Sequence, residues 1–379
     1  MDLGLSDEQR MLQDMVRDLC EDRFPLTALR RLESDEDGLD RDFWNALADQ
    51  GLCGISISEA HGGHGLGLLE CALVHEQFGY HLAQSPHLAS SVLAASFIEA
   101  AGDDSLSAAL LPGIADGSRI VAIASSEAGR GEDLSDQQAV LRRDAKGVRI
   151  SGTKHFVSFA SIADDLIVFG REKQSGRMLA LAVSPGSDGI TLRRQQTMAS
   201  EPCFEVQFED VFVPSERVFA DGADATEAWR AAMSKACVAI AAAATGAARR
   251  IHEISTAYAK EREAFGKPIG AFQAIAHYLA DAIVEIEGAR VLYRNAAWLH
   301  DEARPYAMEA AIAKLQACNI FRRASALGIQ VHGGLGYTTE ADPQLFFRRA
   351  KQWQILNGSE AWLTEEISRL DDSRENAGV

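Results

Sequence analysis

The chain has 379 residues, 47% hydrophobic and 24% charged, which is enough for two or three domains with sizeable cores and ordinary for a globular protein. Its 37 Lys and Arg against 55 Asp and Glu leave a net charge of −18, which sets aside nucleic acid and anionic membrane as main partners. The six cysteines (Cys20, Cys53, Cys71, Cys203, Cys237, Cys318) are scattered with no C-x-x-C pair, the usage of reduced, buried thiols in a cytoplasmic protein.

The opening residues, Met1 to Glu8, are acidic and lack a signal-peptide apolar core. Ser6-Asp-Glu-Gln9 is a capping box, and Met11, Leu12, Met15, Val16 and Leu19 follow at helical spacing. Helical patterns continue through Phe43-Trp44-Leu47, Leu68 to Phe78 and Ser90 to Ala101. The loop His61-Gly62-Gly63-His64 between two of them reads as a turn, since no further ligands accompany its two histidines. From Arg119 the period changes. Short β-type runs at 120–124, 138–142, 148–151, 166–169, 178–183, 190–192 and 204–208 are separated by turn signals such as Asp144-Ala-Lys-Gly147. Evenly spaced strands without intervening helices suggest a small antiparallel sandwich or barrel.

After Ala223 the pattern is helical again. An Ala-rich stretch covers Trp229 to Lys260, and its longest apolar run, Val238 to Ala244, is too short to span a bilayer, so no membrane span is expected. Ile275, Leu279, Ala282, Ile283, Ile286 and Ala289 make the apolar stripe of a second helix. A third runs from Pro305, placed for its first turn, to Val331, and a fourth from about Gln344 with a break at Gly358. The fold class is therefore α+β: a helical domain at 1–116, a β domain at 117–222 and a four-helix bundle at 223–379.

Two stretches carry chemistry. One is Tyr258-Ala-Lys-Glu-Arg262-Glu-Ala-Phe265-Gly266-Lys267-Pro268-Ile269, continuing to Gln273. The other is Gln330-Val-His-Gly333-Gly334-Leu-Gly336-Tyr337, with Asn357-Gly358-Ser359 beyond it. A lone glycine cluster is a helix stop; together the two stretches closely resemble the acyl-CoA dehydrogenase family of flavoenzymes, over nearly the whole chain and in the same domain order. The resemblance implies FAD, an acyl-CoA thioester as substrate, electron-transfer flavoprotein as electron acceptor, and a homo-oligomer whose subunits share flavin sites. It places Arg262, Phe265, Gln273, Gln330, Gly333 and Gly334 at the pyrophosphate and adenine end, where Arg offers fixed donors and glycines let backbone reach an anion. It places Ser126, Phe156 and Ser158 at the isoalloxazine, with Phe156 and Ser158 standing where Trp and Thr are usual, and Ser359 beside the cofactor.

One position departs. The residue before Gly358 is a glutamate base in most of the family, and here it is Asn357, a neutral amide with no basic state in water's pH range. The other base position known in the family falls at Ala236, followed by Cys237 where Arg is common. Glu360 is the weak alternative, nearly one helical turn away. Three readings remain: a dehydrogenase with another base, the base-less subunit of a mixed oligomer completed by a base-bearing paralogue, or a desulfinase- or monooxygenase-type flavoenzyme on the same fold.

Overall fold

The computed structural model describes residues 4–130, 133–199, 201–219 and 225–377. The expected boundary between β domain and bundle, at 222/223, lies outside the described residues. Packing divides the chain into two compact units. One comprises Met1–Arg30, Gly67–Ala83 and Cys237–Val379; the other comprises Arg31–Leu66 and Gln84–Ala236.

In chain order the helices that precede the sheet are α1 (Asp7–Arg23), α2 (Leu26–Leu32), α3 (Arg41–Asp49), α4 (Leu68–His81), α5 (Ala95–Ala101) and α6 (Asp104–Ala115). The capping box at α1 is complete: Ser6 Oγ accepts from the Gln9 amide, and Gln9 Oε1 from the Ser6 amide. The helix expected over 90–101 opens instead as a wide π-type turn, Leu88–Ala94. In that turn Ser90 Oγ accepts from the Val121 amide at 3.0 Å, where the sheet begins.

The strands are β1 (Val121–Ala124), β2 (Val140–Arg143), β3 (Gly147–Ser158), β4 (Asp165–Glu172), β5 (Met178–Val183), β6 (Ile190–Gln195) and β7 (Cys203–Pro214). They form one curled sheet in the order β1-β4-β2-β3-β7-β6, with β5 paired to β4. Most pairings are antiparallel, as the closely spaced strands require. Two are parallel, β1 with β4 and β2 with β4, because β4 returns to the sheet only after the β2–β3 hairpin. Alternating residues such as Leu141, Ile150, Leu166, Val168, Val206 and Phe208 fill its core. A ring cluster, Phe97–Phe169–Trp229 with Phe219, packs in the same unit at centroid distances of 5.1–5.3 Å.

The remaining elements are α7 (Ala225–Glu261), a two-stranded hairpin of β8 (Glu263–Ala264) and β9 (Lys267–Pro268), α8 (Gln273–Asp301), α9 (Ala307–His332), α10 (Pro343–Ile355) and α11 (Glu360–Ala377). The helix after Pro305 starts two residues late, with Tyr306 as N-cap, and the break at Gly358 separates α10 from α11. Helix α7 is long and apolar enough to cross a bilayer, but 83% of its most apolar window is buried inside the protein, the pattern of a core helix. It crosses α4 at glycines: a Cβ on Gly79 would lie 1.8 Å from the Ala243 carbonyl oxygen, and one on Gly246 1.9 Å from that of Glu76. In the same unit α9 packs against α8, α10 and α11.

Candidate functional site

In the β-bearing unit the residues of interest cluster on β3. Its register slips between Lys154 and Val157, and the bulge puts Phe156 at φ +55°, with the residue 48% exposed. The Phe156 amide donates to Gln195 Oε1 at 2.7 Å, and Ser158 Oγ to Glu201 Oε1 at 3.4 Å. Gln195 and Glu201 line a cavity of about 480 Å³ together with Glu33, Arg194, Gln196 and Thr197. Ser126 follows β1, and its carbonyl accepts from the His155 amide at 2.9 Å. Lys154, on the same strand, has no exposed surface. Its Nζ donates to Glu127 Oε1 at 2.7 Å and Gln137 Oε1 at 2.6 Å, while Glu127 also accepts from the amides of Gln138 and Ala139. Burial pulls the Lys154 ammonium down to about 8 against the pull of Glu127. Burial would raise Glu127, yet Lys154 and the amides hold its carboxyl below the usual range.

In the helical unit the two chemistry-bearing stretches meet. Tyr258, near the end of α7, stacks on His332, the last residue of α9, with ring centroids 4.2 Å apart. Ala259, Leu279 and Val331 form a small apolar cluster around the joint. Beyond it, Phe265 and Gly266 form the two-residue tip of the β8–β9 hairpin, both at positive φ, and Phe265 is 95% exposed. Such turns favour Asn or Gly, so a phenylalanine there is strained. Arg262, Gln273 and Gln330 are exposed, and their side chains have no partner among the described residues. A Cβ on Gly333 or Gly334 would meet nothing within 4 Å, so the backbone there is open to approach. This donor set and open backbone fit the phosphates of a dinucleotide such as FAD.

Asn357 sits between α10 and α11 at φ +54°, followed by Gly358 at φ +108°. Of seven non-glycine residues with positive φ among the described residues, three are therefore candidate-site residues: Phe156, Phe265 and Asn357. Glu360 opens α11, exposed to solvent, and accepts from Gln354 Nε2 at 3.4 Å. Ser359 Oγ accepts from the Trp362 amide at 3.4 Å, as a helix cap does. Ala236 presents only a buried methyl.

Sequence reasoning overlooked Gln195, Glu201 and Lys314. The last is fully buried on α9, and its Nζ donates to the carbonyls of Leu356 and Gly358. A signal for it existed, because a lone lysine among Ala310, Ala311, Ala313, Ala317 and Cys318 interrupts an otherwise apolar face.

Comparison with known proteins identifies the domains. Three sequence families match in order: "Acyl-CoA dehydrogenase, N-terminal domain" over residues 6–118, "middle domain" over 122–211 and "C-terminal domain" over 227–370. The probable acyl-CoA dehydrogenase YngJ of Bacillus subtilis is 31% identical over 99% of both chains. The structure of butyryl-CoA dehydrogenase from Megasphaera elsdenii superposes with a TM-score of 0.91 at 26% identity, covering 98% of this chain and 99% of that one. A chain of the ChsE4–ChsE5 complex from Mycobacterium tuberculosis gives 0.87 at 26% identity, with 100% of both chains covered. With all three domain families matched in sequence, and near-complete coverage of these relatives, the chain belongs to the acyl-CoA dehydrogenase family.

Proposed function

We propose that the protein is an FAD-dependent, acyl-CoA dehydrogenase-type oxidoreductase whose own base position is filled by Asn357, acting on or with a CoA thioester. The observation that carries the flavin reading is the joint between Tyr258 and His332, with Arg262, Gln273 and Gln330 left partnerless on the segments it ties together. In this reading Arg262 and the open Gly333–Gly334 backbone hold the pyrophosphate, with Gln273 and Gln330 beside it. Phe265 flanks the cofactor on its strained hairpin, and its exposure fits a neighbouring subunit's flavin, hence an oligomer. Phe156 packs on the isoalloxazine, Ser126 and Ser158 bond its edge, and Ser359 lies beside it. Bound FAD supplies the acceptor for the two electrons leaving the substrate's β carbon. Electron-transfer flavoprotein is the proposed onward acceptor. A cytoplasmic location suits six buried cysteines, none of them in a disulfide.

The α-proton is the difficulty. Asn357 has no basic state, Ala236 has no polar group, and Glu360 is a solvent-exposed helix-start carboxylate. The isolated chain should therefore show little dehydrogenase activity, since a positioned base contributes roughly 10²–10⁴-fold. A second reading gains support from likeness to a chain of a two-component complex: a base-bearing paralogue completes the site.

The test is flavin bleaching of the FAD-loaded protein by butyryl-CoA. Wild type should bleach slowly, and Asn357→Glu roughly 100-fold faster or more, although Glu at a positive φ carries a strain of about 1–2 kcal/mol. Mixing wild type with a base-bearing paralogue is the parallel arm. Rapid turnover by isolated wild type, retained in Glu360→Gln, overturns the proposal.

A further inference from the structure

The Lys314 ammonium is wholly buried, and its hydrogen-bond partners are the Leu356 carbonyl at 3.1 Å and the Gly358 carbonyl. Among the described residues no carboxylate lies within ion-pair distance of it. Removing an ammonium from water without an opposite charge costs several kcal/mol, and an apolar side chain would fill the same space without that cost. The two carbonyls bracket one residue, Asn357, which with Gly358 makes a pair of consecutive positive-φ residues, a conformation open to asparagine and glycine.

Peptide geometry gives the clamp a direction. In a trans peptide the C=O of one residue and the N–H of the next point oppositely. Holding the Leu356 oxygen on Nζ therefore turns the Asn357 N–H away from Lys314. That N–H has no acceptor among the described residues. We propose that Lys314 is the positioning residue of the Asn357 turn, clamping the flanking carbonyls so that the Asn357 amide N–H is presented as donor to the substrate's thioester oxygen. This rests on the CoA-thioester reading above. Lys314 acts only through the turn and touches no reacting atom. Its charge also reinforces the donor, because a carbonyl oxygen hydrogen-bonded to an ammonium polarises its own peptide N–H.

The test compares two ligands that differ at the atom in question. FAD-loaded wild type, Lys314→Met and Lys314→Arg are titrated by calorimetry with butyryl-CoA, which has the thioester oxygen, and with free CoA, which lacks it. Lys314→Met should weaken butyryl-CoA about tenfold and leave CoA within about twofold, the size of one lost hydrogen bond. Lys314→Arg should recover most of the butyryl-CoA affinity. Equal weakening of both ligands, or of neither, overturns the proposal, since a purely structural lysine would not separate them. Amide hydrogen exchange decides the clamp without any ligand. Peptides covering 354–360 should exchange about tenfold faster in Lys314→Met while those of α9 keep their protection, and unchanged exchange at 354–360 refutes the clamp. Should Lys314→Met fail to fold, Lys314→Gln carries both measurements with the same expected outcomes. Wild type that binds neither CoA species refutes the thioester reading, and the exchange result still stands or falls by itself.

Discussion

Each of the two units holds a fully buried lysine beside candidate residues, and the two are solved differently. Lys154, on β3, has a carboxylate and an amide oxygen as partners. Lys314, under the Asn357 turn, has two backbone carbonyls. The contrast extends to their neighbours. Around β3 the polar groups close on one another: the Phe156 amide on Gln195, Ser158 on Glu201, Glu127 on two amides and Lys154. In the helical unit Arg262, Gln273, Gln330 and the Asn357 amide keep their donors open. A closed network fixes the shape of a surface, whereas open donors are available to a ligand. The β3 network should therefore respond to mutation as a fold element and the helical-unit donors as binding groups.

The sharpest break of this comparison is Glu127→Gln. It leaves the buried Lys154 ammonium without its counter-charge, and removing one partner of a buried pair typically costs about 3–5 kcal/mol. The double variant Glu127→Gln/Lys154→Met should recover most of that loss, since it removes the orphaned charge as well. Chemical denaturation of the three proteins checks it. A single variant as stable as wild type would show that the Lys154–Glu127 pair does not hold the β3 network.

Acid probes the same closed unit through His87. It is fully buried, with Nε2 at 3.0 Å from the Leu52 carbonyl. Burial lowers its pKa from 6.5 to about 4, against the raising effect of that hydrogen bond. Between those values the unfolded chain binds a proton that the folded chain refuses. The contribution is complete above pH 6.5 and is lost as pH falls towards 4, by about 3 kcal/mol in all. His87→Gln should flatten this part of the stability–pH profile. An equally steep profile in the variant would assign the acid sensitivity elsewhere.

Much of this was written locally. The capping box at Ser6, the turn at Asp144–Gly147 and the break at Gly358 are short-range chemistry, and they placed α1, β2–β3 and α10–α11. The parallel pairing of β1 with β4 was not legible, because it joins residues more than 40 apart and neither strand's pattern names its neighbour. Nor was the π-type turn at Leu88–Ala94, whose composition is that of a buried helix. At the site, residue types pointed to phosphate and flavin chemistry, but conformation stayed hidden. Positive φ is announced by glycine or asparagine, as at Asn357, and nothing announces it at Phe156 or Phe265.

The mildest and most specific test of the contrast is Arg262→Ala. Arg262 is exposed just past the end of α7, and its side chain has no ion pair or hydrogen bond among the described residues. Stability of the cofactor-free protein should therefore shift by less than about 0.5 kcal/mol, as for ordinary surface substitutions. FAD affinity should fall by about 1.5–3 kcal/mol, roughly 10- to 150-fold, the worth of a charge-assisted contact to phosphate. The two quantities separate cleanly when FAD is titrated by fluorescence quenching and the apo-protein is melted in parallel. Arg262→Lys should recover part of the affinity, since it restores the charge without the planar fork. A large loss of apo stability with unchanged FAD binding would make Arg262 a structural residue. The open-donor side would then resemble the closed one, and the phosphate site would have to lie elsewhere.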